Sequence, residues 1–378
     1  MGRGKGKGGA KAPAVSGLLL LDKPSGPTSH DLVDMVRRAL SQREVGHLGT
    51  LDPLASGLMG LLLGPATKLA PYLSGLPKRY RAEMLLGLAT DSLDVLGAPI
   101  GDLGGALGSI PKGSPLSAFP PESLVPPGAL AIGEDEVRHK LSGFLGEFGQ
   151  IPPGYSAIKV GGVPSHRLAR RGEAPVLAPR RVWAKTLGLI SFEPPVAVVE
   201  CEVSSGFYVR SLARDLGLSL GLPGGCLRAL RRLSIGPFDL GRAIAPPLSR
   251  EAIDGALISP RDALPFLPEY RADSRALSLL RDGRALHGPE LDCGQAGLAS
   301  GLVRVTGPDG ELALIGEYVM GLSAEDGTGV TNAPGESPGA PSGPPRGDTG
   351  AGAFPARPFL RPRRVLRPAQ GAAQHARG

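Results

Sequence analysis

The chain has 378 residues, 41% hydrophobic and 20% charged, which is enough for a sizeable core and more than one domain. Its net charge of +7 sits at the ends: residues 1–11 carry +4 and residues 346–378 carry +6, leaving −3 between them. No apolar run reaches the roughly 18 residues that cross a bilayer, and the basic N-terminus lacks the apolar stretch of a secretory signal.

Three widely spaced cysteines, Cys201, Cys226 and Cys293, supply neither a disulfide framework nor a Cys-x-x-Cys site. Six histidines without paired spacing offer no metal site, and a reducing cytoplasm is the expected setting. The basic ends either attract phosphates without sequence preference or serve as solvated tails.

Residues 1–15 are rich in Gly, Lys and Ala and predict disorder. Gly17 to Leu21 predicts a short strand, and Asp22 to Pro27 a turn. Thr28 or Ser29 can cap a helix to about Leu40, with Leu32, Val33, Val36 and Leu40 on one face. In Arg43 to Gly57 (REVGHLGTLDPLASG), Gly46, Gly49, Pro53 and Gly57 break every period, so a loop is predicted. The apolar run Leu58 to Leu63 behind it predicts a buried strand. Loops held this way carry reactive side chains. Asp52 is either such a group or the acceptor of backbone N–H bonds in a structural turn before Pro53.

Gly64 to Thr67 leads into a short helix ending near Leu73. Lys78 to Leu88 alternates Tyr80, Ala82, Met84 and Leu86 against Arg79, Arg81 and Glu83, as a half-buried strand does. Tyr80 is either an ordinary strand tyrosine or a ring that stacks on a base while Lys78, Arg79 and Arg81 meet phosphates. Residues 97–133 are Gly/Pro/Ser-rich, without periodicity, and predict a long flexible insertion. Glu134 to Phe148 predicts a helix with Val137, Leu141, Phe144 and Leu145 inward.

Gln150 to Lys159 is a proline-fixed turn. Val163 to Arg171 predicts a short helix whose Arg167, Arg170 and Arg171 face phosphate or solvent. Arg180 to Phe192 and Val196 to Ser204 predict strands, with Trp183 in the first. Ser205 to Ser211 opens a helix to about Leu220. Arg210 in its first turns opposes the favourable sign of the helix dipole, so it has a specific anionic partner or points to solvent. Cys226 to Pro237 predicts a strand bearing Arg228, Arg231 and Arg232. Pro260 to Pro268 predicts a linker. Residues 269–320 predict a small unit, with a helix near Ser274–Arg281 and strands Gly301–Thr306 and Leu312–Tyr318. Residues 321–378 predict no fixed structure.

Four ordered blocks between about residue 17 and residue 236 resemble the tRNA pseudouridine synthase B family. They are LLLLDKPSGPTSHDLV; GHLGTLDPLASGLMGLLLGPATKLAPYL with KRYRAEMLLGLATDSLD; GQIPPGYSAIKVGGVPSHRLARRG; and SSGFYVRSLARDLGLSLG. The resemblance implies an α+β fold. Residues 16–259 form a pseudouridine synthase-type catalytic domain around a mainly antiparallel mixed sheet, with 97–133 as an insertion. By position, residues 260–320 look like a small, mostly-β PUA-type RNA-binding domain, with disordered tails on either side of the two domains.

The implied activity is isomerisation of uridine to pseudouridine at position 55 of the tRNA T-loop, after the base leaves its stack. No cofactor and no metal are implied, and the partner is the tRNA T-arm, bound by a cytoplasmic monomer. Asp52 falls on the family's nucleophile, Tyr80 on the active-site tyrosine that stacks on uracil, and Arg210 on the active-site arginine. Asp52 is the expected partner of Arg210, with Tyr208 nearby. His47 is placed to help extrude the base. Allowing one extra residue in the preceding loop, Leu230 packs on the uracil face. Lys23 and Lys68 match positive positions and contact phosphate or brace the loop. His166 stands where the family usually has tyrosine. The alternatives are a guide-RNA-dependent synthase and a non-catalytic tRNA-binding or folding chaperone on the same scaffold. The intact set Asp52, Tyr80 and Arg210 speaks against the last.

Overall fold

The computed structural model describes residues 14–100, 115–169, 171–173, 177–288, 291, 298–320 and 358–366. The chain divides into two compact units between Ser259 and Pro260. The first unit contains β1 (Gly17–Lys23), α1 (Ser29–Leu40), β2 (Val45–His47), β3 (Ser56–Leu63), α2 (Ala70–Leu73) and β4 (Lys78–Leu86). It continues with α3 (Pro127–Leu130), α4 (Glu134–Ser142), β5 (Gly146–Gln150), β6 (Lys159–Val160), β7 (Val163–Pro164) and α5 (Ser165–Ala169). It ends with β8 (Arg180–Glu193), β9 (Val196–Val203), α6 (Val209–Ser219), β10 (Gly225–Ile235), β11 (Phe238–Asp239) and α7 (Arg250–Ala256).

Nine strands form one sheet in the order β1-β3-β10-β4-β9-β8-β5, with β2 paired to β3 and β11 to β10. Only β3 and β10 run parallel; the other pairs are antiparallel. This is the mainly antiparallel mixed sheet of an α+β fold. Period-2 patterning sets its faces. In β9, Ala197, Val199, Cys201 and Val203 are buried while Glu200 and Glu202 are not. The same inner face takes Tyr80, Ala82, Met84 and Leu86 from β4 and is covered by Val209, Leu212, Ala213 and Leu216 of α6.

Thr28, not Ser29, caps α1. Its hydroxyl accepts from the Asp31 N–H at 3.2 Å, and the Asp31 carboxylate accepts from the Thr28 N–H at 2.7 Å. Such reciprocal caps contribute about 1 kcal/mol. Leu32, Val33, Val36 and Leu40 pack on Leu19, Leu21, Met59 and Leu61 of β1 and β3.

Several expectations change where pairing between distant segments overrides local pattern. The loop from Arg43 contains β2, whose Val45 and His47 pair with Leu63 and Leu61; three residues are too few to show a period. The helix predicted to Phe148 stops at Ser142. Gly146, at φ 82°, turns the chain into β5, where Phe148 pairs with Val182 and Leu145 is exposed. The helix predicted from Val163 begins at Ser165, because Val163 and Pro164 pair with Val160 and Lys159. Of the 97–133 insertion, residues 101–114 lie outside the described residues. Part of the remainder is packed. Leu116, Leu124, Val125 and Ala129 are buried against Leu85, Leu88, Val95 and Cys226. Prolines start its short turns instead of a helical period, so the sequence pattern is blank.

The second unit contains β12 (Glu269–Arg271), α8 (Ser274–Arg281), β13 (Leu286–His287), β14 (Gly301–Thr306), β15 (Leu312–Val319) and β16 (Phe359–Val365). The sheet order is β12-β14-β15-β16-β13. Ala263 and Leu264, predicted as linker, are fully buried, so packing begins at the unit's start. The expectation of no fixed structure after residue 321 fails for β16, which pairs antiparallel with β15 and β13. Arginines and Pro362 hide its alternation within a low-complexity segment, and the open edge of β15 supplies the order. Residues 1–13, 321–357 and 367–378, which hold the rest of the basic ends, lie outside the described residues. Leu360 is fully buried among Leu277, Leu280, Val303 and Leu314. Leu360→Ala is expected to lower the unfolding free energy of this unit by about 3 kcal/mol. Urea titration of the full chain checks this; a residue in an unstructured tail would show no change.

Candidate active site

The loop between β2 and β3 hangs from two buried cations. Lys23 is fully buried at the end of β1, and its Nζ donates to the carbonyls of Ala55 (2.6 Å), Pro24 (3.0 Å) and Pro53 (3.4 Å). Of the two roles left open for Lys23, this placement is the brace and not the phosphate contact. Arg232, in β10, is equally buried. Its Nε donates to the Leu58 carbonyl at 2.6 Å and an Nη to that of Gly49 at 3.3 Å. Gly57, at φ 98°, lets the two backbones meet, since a Cβ there would lie 2.3 Å from the Arg232 carbonyl oxygen. Ser29 completes the support by donating to the Leu51 carbonyl and accepting from its N–H, both at 2.8 Å. From the sequence, Ser29 is only a possible helix cap and Arg232 only one of three strand arginines. A buried cation costs several kcal/mol to desolvate, but that cost is visible only once the fold shows which arginine is inside.

These groups aim Asp52 outward. Its backbone carbonyl accepts from the Ala55 N–H at 3.0 Å, as in a turn. The carboxylate does not cap that turn. It meets Arg210, with Nε to Oδ2 at 2.9 Å and Nη2 to Oδ1 at 3.3 Å, so the guanidinium fork holds both oxygens. The Asp52 side chain is 37% exposed and that of Arg210 only 7%. The anionic partner expected for Arg210 is therefore present, which offsets its unfavourable place in the first turn of α6. Two further guanidinium N–H groups donate to the carbonyls of Ser92 (2.7 Å) and Tyr155 (2.8 Å). The helix itself is brought close by Gly217, where a Cβ would lie 2.1 Å from the Gly224 oxygen.

A second acid, Asp94, lies in the same neighbourhood and was not foreseen. It accepts from the Ser92 hydroxyl (2.7 Å) and the Leu96 N–H (3.1 Å). Burial raises its carboxyl above the usual range, while the Ser92 bond and the Arg210 charge pull it down. Its motif, TDSLD, was quoted only for the resemblance.

Tyr80 and Leu230 are both nearly buried, on adjacent strands. They share one apolar cluster with Leu51 and Ala55, which flank Asp52, and with Phe207 and Val209. The three cations around Tyr80 differ in their surroundings. Lys78 is buried and donates to the carbonyls of Ser74 (2.6 Å) and Leu76 (2.7 Å), and Arg79 pairs with Glu200 at 2.6 Å. Arg81 is exposed.

Tyr208 precedes α6, and Gln150 grips its backbone through two hydrogen bonds of 2.8 and 3.1 Å. Burial raises its phenol above the ordinary value, against a hydrogen bond with Ser156 and the charges of Arg180 and Arg210. His47 lies at the exposed rim of β2, and its Nδ1 accepts from the Gly49 N–H at 3.3 Å. Desolvation first, then Arg232 and His30, lower its ring below the ordinary value, which favours the neutral imidazole. Lys68 is half-buried in the helical turn Gly64–Leu69 and makes no hydrogen bond or ion pair with Asp52, Tyr80 or Arg210. Arg167 and Arg171 are exposed; Arg170 and the His166 side chain lie outside the described residues.

The two buried lysines imply a pH dependence. Desolvation lowers both Lys23 and Lys78 from 10.5 to about 8, with Arg232 adding to the effect. Between about pH 8 and pH 10.5 the unfolded chain holds these protons and the folded chain has released them. Stability therefore rises with pH across that window and is lost again as pH falls through 8. Denaturant midpoints at pH 8 and pH 10 should show the rise, and Lys23→Met should reduce it, leaving the part due to Lys78.

The sequence family described as TruB family pseudouridylate synthase (N terminal domain) matches residues 37–104 and 127–209. The tRNA pseudouridine synthase B of Aromatoleum aromaticum is 38% identical over 321 residues, covering 84% of this chain and 91% of that protein. The tRNA pseudouridine synthase B of Opitutus terrae is 40% identical over 258 residues, covering 68% and 95%. Among solved structures, a Cbf5-Nop10-Gar1 complex aligns with a TM-score of 0.56 at 26% identity, covering 80% of this chain and 78% of that one. An H/ACA RNP bound to a substrate RNA containing 2′-deoxyuridine, at 21% identity and a TM-score of 0.57, shares the fold. With the sheet, the loop carrying Asp52 and relatives matched over most of their length, this chain belongs to the TruB family of pseudouridylate synthases.

Proposed function

We propose that this chain isomerises uridine 55 in the T-loop of tRNA to pseudouridine, acting alone and without a cofactor. The reaction breaks the C1′–N1 bond, turns the uracil and joins C1′ to C5; C5 loses its proton to solvent, N1 gains one, and the covalent bond formed to the enzyme breaks again. Asp52 is the nucleophile, at C1′ of the ribose or C6 of the base. Arg210 orients its two oxygens. Tyr80 stacks on the uracil and Leu230 packs against its other side. Tyr208 borders the Arg210 site. His47, neutral and at the rim, helps to hold the base out of its stack. Lys68 meets a phosphate. The second unit is a PUA-like RNA-binding domain, and the enzyme works as a monomer in the cytoplasm.

The observation that supports this most directly is the fork between Asp52 and Arg210 beside the cluster of Tyr80 and Leu230. The relatives' shared description, tRNA pseudouridine synthase B, supports tRNA as the substrate class.

The test is tritium release from C5-labelled uridine in a T-arm RNA, with the purified chain as the only protein. Release in proportion to the labelled uridine is expected. No release until a guide RNA and partner proteins are added would favour the guide-dependent reading, which the likeness to the Cbf5-containing complex motivates. Binding without release under either condition would leave the chaperone.

A further inference from the structure

The Arg210 guanidinium also donates two N–H groups to carbonyls from distant segments. Ser92 belongs to the turn after β4, and Tyr155 to the loop between β5 and β6. Arg210 bridges these carbonyls, and a second bond joins the segments that carry them: the Tyr155 hydroxyl donates to Asp91 Oδ2 at 3.2 Å. Asp91 immediately precedes Ser92. The result is a closed ring: Arg210 to the Ser92 carbonyl, along the chain to the Asp91 carboxylate, across to the Tyr155 hydroxyl, and from the Tyr155 carbonyl back to Arg210.

The Asp91 side of the ring is anchored independently. Its Oδ1 accepts from the Ala98 N–H at 2.8 Å and its own N–H donates to the Ala98 carbonyl at 3.0 Å. The Tyr155 side lies in irregular backbone. On this side the Ile151 carbonyl accepts from Ser211 (2.8 Å) and Arg214 (3.1 Å) of α6, and Ser156 is hydrogen-bonded to Tyr208 just before the helix.

We propose that Asp91 and Tyr155 are positioning residues for Arg210, setting the angle at which its fork meets Asp52. This rests on the reading of Asp52 and Arg210 given above. A displacement of about 1 Å at a reacting group can cost on the order of 100-fold in rate, so a single bond that registers the fork is enough to matter.

The experiment compares Tyr155→Phe, Asp91→Ala and the double variant in the full chain. It reads single-turnover rate at saturating enzyme, affinity for a T-arm RNA, melting temperature, and solvent exchange of the Arg210 Nε–H by NMR. Each single change should slow the rate about tenfold, with affinity within about twofold. The double variant should be no slower than the worse single one, because both remove the same bond. Arg210 Nε–H exchange should quicken in Tyr155→Phe while the melting temperature holds. A wild-type rate for Tyr155→Phe, or effects that multiply in the double variant, would overturn the proposal. So would lost affinity at an unchanged rate. Tyr155→Phe decides the matter if Asp91→Ala fails to fold. If the unmodified chain does not turn over this RNA, the functional reading fails while the Nε–H exchange still tests the ring: unchanged exchange refutes it and faster exchange upholds it.

Discussion

Asp52→Asn should abolish turnover while leaving affinity for a T-arm RNA within about a factor of ten, or 1.4 kcal/mol, of the unaltered chain. Asparagine keeps the shape of the side chain but removes the charge that makes it a nucleophile. It also turns an NH2 toward one arm of the Arg210 fork, so at least one of the two contacts becomes donor against donor. Arg210 still donates to Ser92 and Tyr155, so its buried charge is only partly stranded. A stability loss of roughly 1–3 kcal/mol is expected, small enough for the fold to persist. The measurement is single-turnover tritium release beside a binding titration on one RNA. Turnover near the unaltered rate would remove Asp52 from the chemistry.

Arg210→Lys should cost about 100-fold or more in single-turnover rate, near 3 kcal/mol, with affinity again within about tenfold. Charge at that position is retained, so a purely Coulombic role predicts little effect. The geometry argues otherwise. One guanidinium spans both Asp52 oxygens and two carbonyls from separate loops, whereas an ammonium is a point charge that cannot reproduce that planar fork. Arg214, one turn further along α6, is the control. Its guanidinium faces Asp215 at 2.7 Å and the Ile151 carbonyl at 3.1 Å, and makes no contact with Asp52. Arg214→Lys should stay within about threefold in both measures. If Arg210→Lys turns over like the unaltered chain, the fork is not needed. If both variants fail equally, the helix face as a whole matters and the specific pairing loses its support.

Much of the architecture around this site was legible because it follows from short-range rules. The apolar run ending at Leu63, the alternation from Tyr80 to Leu86 and the helix start at Thr28 or Ser29 are each set within a few residues. The misjudged elements are those where a remote partner outweighs local preference. The chain past Ser142 leaves the helix because β8 offers Phe148 a place beside Val182. β16 exists because β15 has an open edge, and its own arginine-rich sequence gives no hint of it.

The sequence by itself marked three side chains: a loop acid at Asp52, a strand tyrosine at Tyr80 and a helix-start arginine at Arg210. Each stayed open between a structural and a chemical role until the resemblance implied the chemical one. The resemblance implied that Asp52 meets Arg210, and the tertiary structure shows how that contact is made. Asp52 and Arg210 are 158 residues apart, and the carboxylate's choice of a guanidinium over its own turn is made by sheet order and by the close seat of α6 at Gly217. The cations show the same division. Lys23, Lys78 and Arg232 look like surface charge in the sequence, yet all three are buried on backbone carbonyls. Charge is written in the residue, whereas desolvation depends on which atoms the fold places around it.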